Sequence, residues 1–199
     1  MVERLSALAA VYRPGSYGAI DPDGPGIVLA ERHPLATVQV AARGEAARDV
    51  LGAALGVAPD PAANRSAMHG ATTILWVGPG RWLVVEPESR DLKALLRAAL
   101  AGTSAAVTDL GNGRTTLRIA GRRSRELLAK GSAIDLHARA FPVGACAQGL
   151  LGHVGALFHA VDATPVFDLH VARSYAQTVW EWLIESAAEY GYRVDLATF

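Results

Sequence analysis

Arg139 to Trp182 reads RAFPVGACAQGLLGHVGALFHAVDATPVFDLHVARSYAQTVWEW, and this stretch decides the fold. Cys146–Leu150, Ala156–Ala160 and Val166–Val171 are strand candidates. Ser174–Tyr190 is the helix that closes them, with Ser174-x-x-Gln177 as a capping box and Gly191 as its stop. The words in this block are specific, yet they assemble no catalytic site. A domain with a strongly specified fold and no chemistry of its own points to a partner in an assembly.

Upstream, the order strand, helix, hairpin, helix is already present once. Thr37–Val40 alternates like a strand and runs into Gly44–Leu55, where Ala47, Val50, Leu51 and Leu55 share a helical face and Gly56 supplies the stop. After a loop over Pro59–Gly70, Thr72–Val77 and Trp82–Glu86 flank Gly78-Pro79-Gly80-Arg81 as a hairpin. Ser89 is the expected N-cap of a helix through Leu92, Leu95, Leu96 and Leu100, stopped near Gly102. Thr115–Ile119 then restarts the order, leading through Gly121 into a short helix with Leu127 and Leu128. VQVAARGEAARDVL, from Val38, is echoed by LRIAGRRSRELL, from Leu117, which supports a duplication. The expected fold is α+β: two side-by-side β-α-β-β-α halves over 35–102 and 103–199, behind an extended arm over 1–34. Within that arm, Pro14–Gly26 holds three Pro, four Gly and two Asp, which excludes regular helix and central strand. It also carries Ile20 and Tyr17, close to Tyr12, so it reads either as a flexible tail or as an arm laid over another surface.

The closing helix carries an excess of apolar surface. At 100° per residue Tyr175, Val179, Trp182, Leu183 and Tyr190 share one face, and Trp180 and Ile184 widen the arc to roughly half the circumference, against the ~100° that one core needs. Either neighbouring loops of the chain cover the second face, or a partner subunit does. Tyr12, Tyr17, Trp180 and Ile184 are therefore the candidate partner-interface residues.

Composition removes several function classes. The chain has 199 residues, 51% of them apolar, enough for a sizeable core. Lys+Arg and Asp+Glu balance at 19 each, so no electrostatic footprint for nucleic acid or an anionic membrane is expected. Cys146 is the only cysteine, which excludes an internal disulfide and a cysteine-closed metal site. The first residues have no apolar signal region and no run approaches the ~20 apolar residues of a membrane span, so the expected location is the cytoplasm.

The residue types that carry chemistry do not converge in the sequence. Among His33, His69, His137, His153, His159 and His170 there is no HxxxH, HxH or HExxH. His170 follows Asp168 by two and shares a strand face with it, and His159 lies near Asp162. Such strand histidines can hold metal, but hydrogen-bonded ones are the commoner arrangement. No G-x-S-x-G elbow presents a serine, and Cys146, in an Ala/Gly-rich run, reads as a core residue. Asp109-Leu110-Gly111-Asn112-Gly113-Arg114 forms turns but lacks both G-x-G-x-x-G and a P-loop lysine. Arg114, Arg118 and the cluster Arg122, Arg123 and Arg125 either bind an anion or acidic partner, or make a solvated face. No catalytic, cofactor-binding or metal-binding residue is assigned.

Several words nevertheless resemble a known family. Arg139-Ala140-Phe141-Pro142, Ala147-Gln148, Pro165-x-Phe167-Asp168-Leu169, Arg173-Ser174-Tyr175-Ala176 and Trp180-Glu181-Trp182-Leu183 resemble gamma subunits of heterotetrameric sarcosine oxidases. Leu128-Ala129-Lys130-Gly131, Ile134-Asp135-Leu136-His137, Asp109-Leu110 leading to Gly113-Arg114-Thr115, Ser6-Ala7-Leu8, Pro14-Gly15 and Gly24-Pro25-Gly26 extend the likeness. More distantly the chain is similar to the folate-binding aminomethyltransferase, or T-protein, of the glycine cleavage system. Leu75-Trp76-Val77-Gly78-Pro79 with Trp82-Leu83-Val84 carries that likeness, as does the step from Asp109-Leu110 to Gly121. Gly80-Arg81 and Gly111-Asn112 depart from the acidic pair and the Ser-His common there, which weakens any inherited folate site.

The resemblance implies a non-catalytic assembly subunit of a complex that oxidises sarcosine to glycine. It places FAD, FMN, NAD and tetrahydrofolate on the alpha and beta subunits and zinc on the delta subunit, with alpha the principal partner. It carries no catalytic residue onto this chain, and the substrate of the whole complex, sarcosine or another secondary amino acid, is set elsewhere. The alternative is a stand-alone folate or one-carbon-binding protein, for which Asp109 and Asp168 are the candidate pterin carboxylates.

Overall fold

The computed structural model describes residues 5–19, 21–42 and 44–198; Ile20 lies outside them. In chain order the elements are β1 (Gly15–Tyr17), β2 (Ile27–Arg32), β3 (Leu35–Ala42), α1 (Glu45–Leu55), β4 (Ser66–His69), β5 (Thr72–Gly78), β6 (Arg81–Pro87) and α2 (Leu92–Ala99). They continue with β7 (Ala105–Asp109), β8 (Arg114–Ala120), α3 (Ser124–Ala129), β9 (Cys146–Leu151), β10 (Val154–Asp162), β11 (Val166–Ala172), α4 (Ala176–Ala187) and β12 (Tyr192–Val194).

The strands form a seven-stranded sheet, β1-β12-β2-β8-β11-β10-β9, and a five-stranded sheet, β4-β5-β6-β3-β7. The orders β9-β10-β11-β8-β2 and β4-β5-β6-β3-β7 superpose strand for strand on the expected duplication, with one exchange. β2 precedes β3 in the chain but pairs antiparallel with β8. β7 precedes β8 but pairs antiparallel with β3. Each repeat thus donates its leading strand to the sheet of the other. The expected boundaries at 34 and 102 are corrected accordingly. Residues 27–32 are a central strand rather than arm, and 105–109 complete the first sheet rather than the second.

Alternation along the strands sorts side chains into layers. Val38, Val40, Ile74 and Val84 pack with Leu51, Leu55, Leu92 and Leu96 of α1 and α2. Leu117, Ile119, Phe158, Phe167 and Leu169 pack with Leu127 and Leu128 of α3 and Val179, Trp180 and Leu183 of α4. Leu35, Leu75, Leu83 and Val85 of one sheet meet Cys146 and Leu157 of the other. The order of layers is helix, sheet, sheet, helix.

The two strand-to-helix steps explain the sequence echo. Gly44 at φ 86 and Gly121 at φ 109 turn the chain from β3 into α1 and from β8 into α3. A Cβ on Gly121 would stand 2.5 Å from the Gly26 carbonyl oxygen, so only glycine lets the turn lie against the incoming β2. Two expected caps move. Asp91, not Ser89, caps α2 by accepting from the Ala94 N–H at 2.8 Å. The Ser174 box does not form, because Arg173–Tyr175 winds as a 3-10 turn and Gln177 instead donates to Glu181 four residues on.

The closing helix buries Ala176, Val179, Trp180, Leu183 and Ala187, a stripe at helical spacing. Trp180 is 2% exposed, and the second face is covered by the chain itself: Leu8 joins the same core, and the Tyr12 ring lies 5.1 Å from the Trp180 ring. Trp182 remains half-buried, against Gly131. Trp180→Ala is expected to destabilise the fold by about 3–5 kcal/mol, and Trp182→Ala by about 1–2 kcal/mol. Urea unfolding of both variants checks the order; equal losses would refute this assignment of the buried face.

Candidate functional site

A polar row lies on the inner face of the seven-stranded sheet, turned toward the other sheet. Cross-strand register places Arg118, Asp168 and His159 opposite one another on β8, β11 and β10. The adjacent row is Arg32, Thr116, His170 and Leu157. Asp168 accepts from Arg118 Nε and Nη2, both at 2.8 Å, and from Arg32 Nη1 at 2.9 Å. Burial alone would raise its carboxyl, but the Arg118 hydrogen bonds and the charges of Arg118 and Arg32 hold it below the usual carboxylate range.

Both histidines of the row are buried and neutral. His159 is pushed down to about 4, first by burial, which Asp168 opposes and the charges of Arg118 and Arg32 reinforce. His170 is pushed down to about 3, again first by burial, with His159, Arg32 and Arg114 adding to it. His170 Nδ1 shares a hydrogen bond with Thr116 Oγ1 at 2.9 Å, while its Nε2 is buried with no partner among the described residues. His159 Nε2 lies 2.9 Å from Ser66 Oγ on the edge strand of the other sheet. That is the spacing of a nucleophile and its base. Ser66 Oγ also donates to the Gly144 carbonyl oxygen at 3.1 Å, and the main cavities of the chain are lined by neither Ser66 nor His159. The pair ties the sheets together.

The remaining candidates are committed to the fold or stand apart. Cys146 is buried, its thiol pushed up to about 11 by burial. Arg122 pairs with Asp21, Arg123 with Glu126, and Arg125 donates to the carbonyl oxygens of Leu136 and Phe141. Asp168, one of the two candidate pterin carboxylates, is closed off by its arginines. Asp109 lines an open cleft of about 830 Å3 and stands 3.8 Å from Lys93. Among the described residues no three of His, Cys, Asp and Glu converge as a metal site, and no helix is long and apolar enough to cross a membrane.

Of the expected partner-interface residues, Trp180 is buried in this chain's own core, which corrects that expectation, while Tyr12, Tyr17 and Ile184 are half-buried. Tyr12 donates to the Asp195 carbonyl oxygen at 2.6 Å and accepts from the Glu31 N–H at 3.0 Å. Tyr17 stacks on Tyr192 with centroids 5.0 Å apart, and Ile184 packs partly buried on the core under α4. The over-wide apolar arc is filled by the segment before β1, because Leu8 and Tyr12 return across it. Sequence reading missed Arg32, Ser66 and Arg173, which lie in segments read as arm, loop and helix cap. Of these only Arg173 had a local signal, its place in the word Arg173-Ser174-Tyr175-Ala176.

The class of protein follows from the architecture: a two-sheet α+β domain of the aminomethyltransferase T kind. The glycine cleavage system aminomethyltransferase T from Bartonella henselae shares it, with a TM-score of 0.66 over 92% of this chain and 55% of that one at 14% identity, a likeness of fold alone. Residues 40–189 match the sarcosine oxidase, gamma subunit family, and the chain belongs to that family. It is 31% identical over 148 residues to the sarcosine oxidase subunit gamma of an Arthrobacter species, covering 74% of this chain and 72% of that one. It is 32% identical over 119 residues to that of Corynebacterium sp. strain P-1, covering 60% and 58%. A chain of the heterotetrameric sarcosine oxidase from Corynebacterium sp. U-96, solved with pyrrole 2-carboxylate, matches with a TM-score of 0.85 at 25% identity, over 94% of this chain and 96% of that one.

The polar row sets two expectations. Asp168→Asn leaves two guanidinium groups without their counter-charge and should cost about 3 kcal/mol in urea unfolding, the lower end because the Arg118 side chain is 29% exposed. A loss under about 1 kcal/mol would refute the ion-pair assignment. The histidines give a pH dependence. The unfolded chain takes up protons near pH 6.5, the folded chain only at about 4 (His159) and about 3 (His170). Stability is full above about pH 6.5 and falls as pH is lowered toward those values. The urea midpoint should already decline between about pH 6.5 and 5, above the range where carboxylates protonate; a flat profile there would exclude buried neutral histidines.

Proposed function

We propose that the chain is the gamma subunit of a heterotetrameric complex of the sarcosine oxidase type and acts there in assembly, without catalysis of its own. The observation that carries this reading is the end-to-end agreement with a chain of the solved heterotetramer, a TM-score of 0.85 over 94% of this chain. Support also comes from the chemistry of the chain: Ser66 with His159, and Cys146 with the Trp76 carbonyl oxygen, bond between the two sheets, and His170 bonds Thr116 within one of them.

In this reading the alpha subunit is the principal partner, with beta and delta completing the complex in the cytoplasm. FAD, FMN, NAD, tetrahydrofolate and zinc are held by those subunits, and the oxidative demethylation of sarcosine to glycine takes place on them. Substrate choice lies with them as well. Co-expression with the adjacent genes and purification through a tag on this chain should yield a yellow assembly containing it. Expressed alone, the chain should carry no flavin absorbance. A stable colourless monomer that never co-purifies with a flavoprotein would overturn the assignment.

A further inference from the structure

The duplication makes the two sheets comparable position by position. The echo aligns Val38 and Val40 of β3 with Leu117 and Ile119 of β8. Asp109 and Val107 of β7 stand opposite Val38 and Val40, as Glu31 and Leu29 of β2 stand opposite Leu117 and Ile119. β7 is therefore the counterpart of β2, residue for residue. On β2 the outward edge is covered by the chain itself. β12 pairs with it in parallel over Ile27–Leu29, and the Ile27 N–H donates to the Gly191 carbonyl oxygen. The Leu29 carbonyl oxygen accepts from the Asp195 N–H, and Glu31 is held by Tyr12 and Thr198.

On β7 the same positions point outward. The Ala42 N–H donates to the Gly80 carbonyl oxygen, on the β6 side of β3, whereas the Leu110 N–H donates to the Thr37 carbonyl oxygen of β3. Alternation along an antiparallel pair then aims the N–H and C=O groups of Ala105, Val107 and Asp109 away from β3. These backbone groups have no hydrogen-bond partner among the described residues. The strand also lacks the devices that close an edge. It runs Ala-Ala-Val-Thr-Asp with neither Pro nor Lys and in unbroken register, and Ala106, Thr108 and Asp109 are exposed. Elsewhere the edges are shortened or joined. β1 has three residues, and the starts of β9 and β4 are laced together by the Cys146 N–H on Asn64 and the Ser66 N–H on Gly144.

What suits the open edge is read from β12. Its Tyr192 and Val194 turn onto the core on the helix side of the sheet. On β7 that side is where Ala105 and Val107 pack, half-buried, with Leu95 of α2. A second copy meeting β7 across a two-fold axis would pair antiparallel, the opposite of what β12 does on β2.

We propose that the β7 edge takes up an extended segment of a partner subunit as a sixth strand, parallel to β7, with apolar side chains at alternate positions beside Ala105 and Val107. That the partner is a subunit of the complex rests on the function proposed above; the open edge does not. Val107→Pro tests it, because the substitution deletes one outward N–H and leaves the bonds to β3 intact. The variant should keep the wild-type urea midpoint, while the flavoprotein captured through its tag after co-expression should fall at least about tenfold. Hydrogen exchange on the wild-type chain decides the matter if the variant does not fold. The Ala105, Val107 and Asp109 amides should exchange at least about tenfold more slowly in the assembly than in the chain alone, with Ala106 and Thr108, bonded to β3, as the reference. Capture by the folded variant at the wild-type level, or amides equally fast in both states, would overturn the edge and leave the subunit assignment standing. Failure of the wild-type chain to capture flavoprotein would overturn both. Protection that rises with the concentration of the chain alone would mark pairing between copies and overturn the partner strand.

Discussion

Asp168 lies buried on the inner face of β11, and its two oxygens are held by guanidinium groups from β8 and β2. Of these strands, β2 comes from the far end of the chain and is linked directly to the other sheet. The ion pair therefore fixes the exchange that gives the molecule its architecture. Net stabilisation from such a pair is small, because desolvation offsets most of the Coulombic attraction. Its effect is on register. If β2 slipped by one residue, Arg32 would face the helices and leave the carboxylate short of charge.

Exchange of the leading strands has a mechanical consequence. Neither half contains all the strands of its own sheet, so neither is a domain that folds by itself. The inner faces then meet through a mixed layer, with Leu35, Leu75, Leu83 and Val85 against Cys146 and Leu157, and Ser66 against His159. Histidine and serine, which in another setting would be reactive, act here as buried connectors. Polar chemistry consumed by the interior is in keeping with the assembly role proposed above.

The same exchange decides which edges stay open. Beyond β2, β12 and β1 extend the sheet, whereas beyond β7, the counterpart of β2, no described strand follows. That difference comes from the connections and not from any local motif. Only residues 100–104 lie between α2 and β7, too few to supply a counterpart of β12.

Much of the local structure was legible because it rests on short-range rules. Alternation gave β3, β5, β6, β8, β9, β10 and β11, the apolar stripes gave α1 and α2, and Gly56 ended α1 in the left-handed conformation as expected. The echo between residues 38–51 and 117–128 gave the duplication. β2 stayed hidden behind the Pro- and Gly-rich run before it, and β4 within a stretch read as loop. The pairing of Ser66 with His159 was not legible, since 93 residues separate them. By itself the sequence determined the longer strands and helices, that they repeat, and which words it shares with its family. Only the tertiary structure decided which sheet each leading strand joins and what covers Trp180. Those outcomes depend on contacts between distant segments, where one buried carboxylate holds arginines from two strands at once and a returning N-terminal turn fills a face that helical periodicity had left open.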